Sequence, residues 1–311
     1  MIASLRSNRV VWAFAVLLLL WLLAVVVAHG FADPSRIQYL TRTAAFLGLV
    51  AVGQTLVVVM GGIDLSVSGA VALAAVVCAQ VASGSPSAWA VVVALAACAV
   101  LGAVNATGVI FLKVPPMVMT LATGTVLSGV LLIYTEGAPR SAKIPLLSAL
   151  ANDNLFGVPL AFLLWMAAAA VGTWLLHATR SGRYAFSLGS SVAASRASGV
   201  PVASTSYAMY VACSVLAGVA GLVLLGFTST SSLTMGSPYQ LLSIAAVVLG
   251  GTSILGGRGH VTGTLAGALL LTLLTALLVT WNLSAALRQV ALGLLIVILL
   301  LAYARESNKS A

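Results

Sequence analysis

The sequence predicts an all-α polytopic membrane protein with about ten transmembrane helices, some of them short or broken. Of the 311 residues, 61% are hydrophobic and 6% are charged, whereas about a quarter of the residues in a soluble domain are charged. Residues 65–112 and 197–257 contain no Asp, Glu, Lys or Arg, and each stretch is long enough for two crossings of about 20 residues. Residues 1–311 are therefore expected to form one transmembrane domain.

Ten apolar runs are the predicted crossings. The first, Val10–Ala28, is longer than the core of a cleaved secretion signal, which has about 7 to 15 residues, so an uncleaved first helix is expected. The third and the last are short, and tilted, broken or re-entrant helices are alternatives there. The other nine runs are Ala44–Met60, Val67–Ala82, Trp89–Val109, Pro115–Tyr134, Val158–His177, Tyr207–Phe227, Tyr239–Ile254, Val261–Trp281 and Gln289–Tyr303.

The basic residues predict the orientation, because Lys and Arg favour the cytoplasmic side. With ten crossings and the N-terminus inside, both termini are cytoplasmic. The cytoplasmic basic residues are then Arg6, Arg9, Lys113, Arg180, Arg183, Arg196, Arg258, Arg305 and Lys309, and the outward ones are Arg36, Arg42, Arg140, Lys143 and Arg288. This distribution explains the net charge of +9 without a nucleic-acid partner, and membrane lipid is the expected surrounding.

The sequence predicts no catalytic residues, no metal site and no cofactor. Four of the five acidic residues lie in predicted loops or the tail, so the membrane spans contain no pair for acid–base catalysis. The three cysteines and three histidines show no metal-ligand spacing. The segment GGTSILGGRGH lacks the Gly-Lys-Ser or Gly-Lys-Thr that ends a phosphate-binding loop. The residues concerned are Asp33, Glu136, Asp153 and Glu306; Cys78, Cys98 and Cys213; and His29, His177 and His260.

Asp64 is the exception among the acidic residues, because it lies in the apolar stretch VVVMGGIDLSVSGAVALAAVV, residues 57–77. Two interpretations stay open: Asp64 caps the helix that follows, or its charge acts in transport. Polar residues in neighbouring spans offer hydrogen bonds to a substrate or to adjacent helices; Thr125 and Ser128 are of this kind. The candidate pathway or gate residues are Gln54, Asp64, Asn105, Thr120 and Thr123.

Two patterns concern helix packing and an internal repeat. VVMGGIDL, beginning at Val58, aligns with VVLGGTSI, beginning at Val247, and such echoes are typical of transporters built from two related halves. Chance similarity is the alternative. Gly259, Gly263 and Gly267 follow at four-residue spacing, which predicts close approach of two helices.

Three long stretches carry a resemblance to a known family. GGIDLSVSGAVALAA, TRSGRYAFSLGSSVAASRASGV and AAVVLGGTSILGGRGHVTGTLAGALL resemble, in this order, motifs of the membrane permeases of bacterial ABC importers for monosaccharides, the group that includes the ribose, xylose and galactofuranose permeases. The second stretch departs from the family pattern, because Ser190, Ser191 and Val192 replace the usual Gly-Asn-Glu. This puts in doubt any salt bridge that the family makes there.

The resemblance implies a multi-pass permease subunit of the bacterial inner membrane that is not itself an enzyme. Its implied partners are cytoplasmic ATP-binding subunits, a second permease copy, identical or related, and a periplasmic sugar-binding protein. The implied ATPase-coupling loop covers about residues 178–206, with the short coupling helix over residues 187–200. Its named residues are Ser187, Ala193, Ala194, Ser195, Arg196, Ser198 and Gly199.

Three other interpretations remain alongside the monosaccharide permease. The first is a related ABC importer for branched-chain amino acids or nucleosides. The second is a stand-alone secondary transporter, against which the spans offer Asp64 no second ionisable partner for a proton relay. The third is a membrane enzyme, for which the sequence offers no reactive set. The alternative to an ATPase-coupling loop at residues 178–206 is an ordinary connecting loop, which is basic because cytoplasmic loops are enriched in Lys and Arg.

Overall fold

The computed structural model describes residues 9–28, 30–82 and 88–307, without the side chains of Arg9 and of residues 299–307. The predicted positions of Arg6, His29 and Lys309, and the side chains of Arg9 and Arg305, lie outside the described part. Within it the chain forms thirteen helices and four short strands.

Ten apolar helices correspond one to one to the predicted crossings. They are α1 (Arg9–Val27), α2 (Pro34–Val59), α3 (Val67–Val81), α4 (Ala88–Ile110), α5 (Pro116–Thr135), α7 (Leu160–Ala178), α10 (Val202–Thr228), α11 (Ser237–Leu249), α12 (Val261–Thr280) and α13 (Ala285–Ser307). Over the described residues, seven are long and apolar enough to cross a membrane, and α3, α11 and the apolar part of α13 are shorter. The predicted fold class is confirmed.

The connections contain more structure than the sequence indicates. Three further helices, α6 (Pro145–Asn152), α8 (Arg180–Ser190) and α9 (Val192–Ala197), join the apolar ones. Strand β1 (Arg140–Ser141) pairs antiparallel with β4 (Thr230–Ser231), and β2 (Asn154–Leu155) forms a hairpin with β3 (Val158–Pro159). The two-residue strands and the short helices α6 and α9 escape sequence patterns because they have almost no periodicity of their own. Helix α8 is longer, with 11 residues, and its buried residues Gly182, Ala185 and Leu188 recur at three-residue spacing.

Helices α2 and α10 form the centre of the bundle. Every residue of α2 from Ala44 to Val59 is buried, and α10 packs against α2, α3 and α4. Gly53 of α2 allows close approach, since a Cβ built there would lie 3.0 Å from the Cys213 backbone. By contrast, α1 and α5 lie at the periphery, with most of their side chains exposed or half-buried. These outer faces are available to lipid or to another copy, as are the exposed apolar side chains of α4, α7 and α13.

Helix α2 begins ten residues earlier than the apolar run that predicts it, at Pro34 and not at Ala44. Proline is favoured in the first turn of a helix. The two arginines that interrupt the apolar pattern have partners: Arg36 donates to Thr280 Oγ1 and lies over the Phe31 ring, and Arg42 Nη2 donates to Asn152 O at 2.8 Å. Tertiary contacts therefore accompany the part of the helix that precedes the apolar run.

The glycine spacing at the start of α12 produces the predicted close contact. A Cβ built on Gly263 would overlap the Gly250 carbonyl, and one built on Gly267 would overlap the Ala246 carbonyl. The backbones of α11 and α12 therefore touch without intervening side chains, as small residues permit between membrane helices. A buried hydrogen bond of 2.8 Å between Thr55 and Thr264 joins α12 to α2.

Candidate functional site

A break between α2 and α3 positions the buried carboxylate. The backbone turns at Gly61, which has a φ of +86°, a conformation that favours glycine. Gly61 N donates to Val58 O at 2.9 Å and Gly62 N to Val57 O at 3.0 Å, which is the Schellman pattern of helix termination. Gly61 itself is exposed, whereas Gly62, Ile63 and Asp64 are buried. Non-helical backbone at membrane depth is tolerated where protein buries it.

Asp64 stabilises the start of α3 through one carboxylate oxygen. Its Oδ1 accepts from Ser66 N at 2.8 Å and from Ser66 Oγ at 2.6 Å. This bond lies in the turn before the helix, because α3 begins at Val67 and its N-cap position is Ser66, which makes no side-chain cap bond. An Asp side chain that bonds the backbone two residues later forms an Asx-type turn. Asp64 therefore fixes the turn that leads into α3 and does not occupy its N-cap position, and the role of the charge in transport stays a prediction.

The other candidate pathway residues gather around the same break. Asn105 Nδ2 donates to Ser66 Oγ at 2.8 Å, and Thr123 Oγ1 donates to Asn105 Oδ1 at 2.5 Å. Thr120 Oγ1 accepts from Leu65 N at 3.0 Å and contacts Ile63 O. Three helices, α3, α4 and α5, are thus linked through polar side chains.

Gln54 links α2 to the same network. The Gln54 amide is oriented so that both of its polar atoms bond the backbone of Asp64: Nε2 donates to Asp64 O and Oε1 accepts from Asp64 N, each at 3.2 Å. Gln54, Asp64, Asn105 and Thr120 have no exposed surface, and Thr123 is half-buried. In this conformation the network therefore holds helices together, and Thr123 is the one of these residues with any surface open to a substrate.

Three buried oxygens beside the network have no hydrogen-bond partner among the described residues. They are Asp64 Oδ2, Tyr210 Oη and Ser214 Oγ. The Tyr210 hydroxyl covers Gly62, where a built Cβ would lie 2.7 Å from it. Unsatisfied buried polar groups cost free energy, so this cluster is a place where another conformation of the bundle can gain hydrogen bonds.

The second half of the chain repeats the same helix ending. After α11, Gly251 has a φ of +86°; its N donates to Val248 O at 2.9 Å, and Thr252 N donates to Val247 O at 3.2 Å. This is again the Schellman pattern, but it pairs Gly61 with Gly251, one residue later than the sequence alignment, which pairs Gly61 with Gly250. The two similar sequence stretches therefore form the same kind of helix ending, with the alignment shifted by one residue. That the two halves of the chain are a repeat as a whole stays a prediction.

The three stretches that resemble family motifs meet at a cluster that we call the glycine junction, formed by Gly61, Gly189, Gly256 and Gly257. Gly257 N donates to Val59 O at 2.9 Å. A Cβ built on Gly256 would lie 2.8 Å from Gly61 N and 2.9 Å from Gly189 Cα. No side chain fits between the end of α2, the last turn of α8 and the α11–α12 connection. The ends of these three elements are therefore in direct backbone contact.

Helices α8 and α9 form the segment that the sequence predicts as a coupling loop. Residues 187–200 are not one helix: the last turn of α8 ends at Ser190, and α9 begins after Ser191, whose extended backbone breaks the helix. The Ser191 hydroxyl accepts from Ala194 N at 3.2 Å and so caps α9. The serine that departs from the family pattern thus has a structural role.

Most residues of α9 and of the turn that follows it are exposed. Ala193, Ala194, Arg196, Ser198 and Gly199 are exposed. Ser195 is the buried member, at 1% exposure, and its hydroxyl contacts that of Ser187 at 2.7 Å. Packing within this chain therefore explains Ser195, while the exposed small residues leave a smooth surface beside the glycine junction.

The comparisons with known proteins agree with this geometry. Residues 35–300 match the family described as branched-chain amino acid transport system / permease component. The chain belongs to this permease family. It is similar to the ribose import permease protein of Haemophilus influenzae, at 32% identity over 295 residues, with 93% of this chain and 91% of the relative covered.

Two further relatives extend the comparison. The ribose import permease protein of Escherichia coli strain K12 is 37% identical over 267 residues, with 81% of each chain covered. The autoinducer 2 import system permease protein of Photorhabdus laumondii is 31% identical over 277 residues, with 85% of this chain and 83% of the relative covered. No solved structure matches the chain. The resemblance to ABC importer permeases is confirmed.

The permease is thus a transport subunit and not an enzyme. Membership of the family implies ATP-binding and substrate-binding partners and an inner-membrane location.

Two features of the permease could not be found from the sequence. His177 and His260, predicted at separate span ends, stack with ring centroids 5.1 Å apart, at the end of α7 and the start of α12. Over the described residues, no group of three or more metal-ligating side chains is present.

Thr125 and Ser128 lie on the exposed face of α5, and each hydroxyl donates to the carbonyl four residues earlier. These hydroxyls, unlike the buried network, are open to a ligand.

Proposed function

We propose that the permease imports a monosaccharide that a periplasmic sugar-binding protein delivers, driven by cytoplasmic ATP-binding subunits. The relatives named as ribose import permeases support this substrate class. The polar side chains exposed on α5 are neutral hydroxyls, which suit a neutral sugar. A zwitterionic amino acid would need paired charges, and Asp64, the acidic residue inside the bundle, has no exposed surface.

The proposed orientation places both termini in the cytoplasm. Five basic residues from the α4–α5 connection, the α8–α9 segment and the α11–α12 connection are exposed, and an alternating path through ten helices puts these connections on one side. They are Lys113, Arg180, Arg183, Arg196 and Arg258. Basic residues favour the cytoplasmic side, so α8 and α9 face the ATP-binding subunits.

The proposed sugar route lies between two permease copies, along α5. Most of the surface of α5 is unpaired within one chain, and its exposed face includes Thr125 and Ser128 together with Gly129, where a built Cβ would meet nothing within 4 Å. A lipid-facing helix has no need of hydroxyls or glycine on its outer face, whereas small and polar residues favour contact between membrane helices. A second copy would enclose this face.

In this proposal the Asp64 network is the gate component that holds the broken helix, and the glycine junction connects it to the coupling segment. The observation that carries the coupling proposal is the contact of Gly189 in α8 with Val59 and Gly257, which leaves no space for a side chain. Movement of α8 against an ATP-binding subunit would therefore displace the ends of both α2 and the α11–α12 connection.

Reconstituted transport tests the proposal. The permease, its ATP-binding subunits and the sugar-binding protein would be placed in proteoliposomes, and ATP-dependent uptake of labelled ribose, leucine and a nucleoside would be compared. We expect uptake of the sugar alone, and we expect it to continue when proton and sodium gradients are collapsed. Uptake of leucine or the nucleoside in place of sugar would favour the related importers, and gradient-driven uptake without ATP would overturn the ABC mechanism.

Cysteine cross-linking tests the route. We expect Thr125→Cys to form a disulfide between two copies, and Val126→Cys, which is 67% exposed on the flank of the same helix, serves as the control. Equal cross-linking of both positions, or of neither while transport is intact, would contradict a dimer contact centred on the hydroxyl face.

A further inference from the structure

The hairpin β2–β3 ends in an aromatic residue with an unfavourable backbone. Leu155 pairs with Val158, so Phe156 and Gly157 form a two-residue loop, with φ values of +50° and +82°. Positive φ at both central residues defines a type I′ turn, in which Asn-Gly or Asp-Gly is preferred. Phenylalanine in the left-handed region is an outlier. Strain of this kind persists where the surrounding structure imposes it and is concentrated at functional sites.

No packing within the described chain explains the phenylalanine. Phe156 is 99% exposed, and Leu155 beside it is 49% exposed. The hairpin therefore presents an apolar tip whose side chain contributes nothing to the core. An isolated exposed apolar residue is ordinary on a surface, but a fully exposed ring on a strained turn is not.

The base of the hairpin is held firmly. Gln38 Nε2 donates to Gly157 O at 2.9 Å, and Arg42 Nη2 donates to Asn154 Oδ1 at 3.0 Å. Leu160 N donates to Asp153 O at 3.0 Å and closes the segment. The tip is thus fixed to the start of α2, and binding through it requires little further ordering. Such preorganisation favours affinity.

We propose that the β2–β3 hairpin is a docking point for the soluble substrate-binding protein, with Phe156 as the anchor that enters an apolar pocket of that partner. The proposal rests on the proposed function, which places this hairpin on the outer side of the membrane. Aromatic side chains in fully desolvated pockets are typical binding hot spots. Burial of the ring in the partner's pocket would offset the free energy of the strained turn in the unbound permease.

The surroundings favour a protein over the lipid bilayer. Asn152, Asp153 and Asn154 at the base are exposed, and burial of their polar groups in the bilayer would be unfavourable. Residues that anchor proteins at the lipid interface are chiefly Trp and Tyr, which have a polar tip, and phenylalanine has none. The hairpin therefore suits a water-soluble partner.

The test uses the complete importer in lipid nanodiscs, with ATP hydrolysis measured against the concentration of sugar-loaded binding protein. In Phe156→Asn the turn receives its preferred residue, so thermal stability should be unchanged or higher, while the half-stimulating concentration should rise about tenfold or more. Leu146→Asn is the matched control, since Leu146 is a half-exposed apolar side chain of α6 nearby. It should leave that concentration within about twofold.

The outcomes distinguish the anchor from the proposed function. If the wild-type importer is stimulated and Phe156→Asn responds at the same concentration, the anchor proposal is wrong while the importer function stands. If the binding protein stimulates ATP hydrolysis neither by the wild type nor by any variant, the proposed function is wrong, and the proposal that this binding protein is the partner is wrong as well. A bimane label at Phe156→Cys that lipid-borne quenchers reach before the binding protein is added would assign the hairpin to the bilayer and overturn the proposal.

Discussion

Substitution of Asp64 separates its role in fixing the turn before α3 from a role of its charge. In Asp64→Ala, the N–H and the hydroxyl of Ser66 both lose their acceptor, and Ser66 has no exposed surface. Each unsatisfied buried donor costs about 1 to 3 kcal/mol, so the loss of unfolding free energy should be about 2 to 6 kcal/mol. Rotation of the Ser66 hydroxyl to another acceptor would bring the value to the lower end.

Asp64→Asn has a different expected result, because the amide oxygen can keep both bonds from Ser66. The new NH₂ group replaces Oδ2, which has no partner among the described residues, so the substitution breaks no hydrogen bond. Stability should therefore remain within about 1 kcal/mol of the wild type, since it is the loss of a hydrogen bond that costs about 1 kcal/mol.

The assay compares apparent Tm in nanodiscs with ATP-dependent uptake in the same preparations. We expect Asp64→Ala to lower both, and Asp64→Asn to keep its Tm but lose uptake, because only the charge has changed. Normal uptake by Asp64→Asn would show that the hydrogen bonds to Ser66 are the whole role of this residue. Equal Tm for Asp64→Ala and the wild type would refute the hydrogen-bond reasoning itself.

Three further predictions concern topology, coupling and packing. In a cysteine-free background, Ser141→Cys should react with an impermeant thiol reagent in intact cells and Ser198→Cys only after permeabilisation; the reverse pattern would invert the proposed orientation. Ala194→Glu should leave expression and Tm unchanged, since the site is exposed, but abolish stimulation of ATP hydrolysis by loaded binding protein, whereas intact stimulation would reduce α8 and α9 to a basic connector. Gly263→Leu should lower Tm strongly because its side chain would enter the Gly250 backbone, and a small change would show that α11 and α12 can separate freely.

The membrane fold could be predicted from the sequence because each crossing is a long apolar run. The short helices α3 and α11 could also be predicted, because an apolar run indicates a membrane span even where it has fewer than about 20 residues. What the sequence could not give was the extension of α2 to Pro34. That extension depends on partners for Arg36 and Arg42 far along the chain, and tertiary contacts override local composition there.

The candidate site was only partly predictable for a similar reason. Polar residues in apolar spans are easy to find, and Gln54, Asp64, Asn105, Thr120 and Thr123 do lie together. Their burial could not be foreseen, because whether a helical residue faces the core or an opening depends on which helices pack around it. The hydrophobic pattern of these spans is nearly uniform around the helix, so it contains little information about which side faces inward.

In the proposed coupling mechanism, the glycine junction is the short path from α8 to the Asp64 network. Packed protein interiors are scarcely compressible, so contacts of backbone on backbone, such as Gly189 against Val59 and Gly256 against Gly61, cannot absorb a displacement of α8. Gly61 is three residues from Asp64, and the intervening backbone is held by Gln54 and Thr120. A shift at the junction must therefore either move the broken helix as a unit or rupture those hydrogen bonds, and the unpaired oxygens of Tyr210 and Ser214 provide acceptors for a second arrangement.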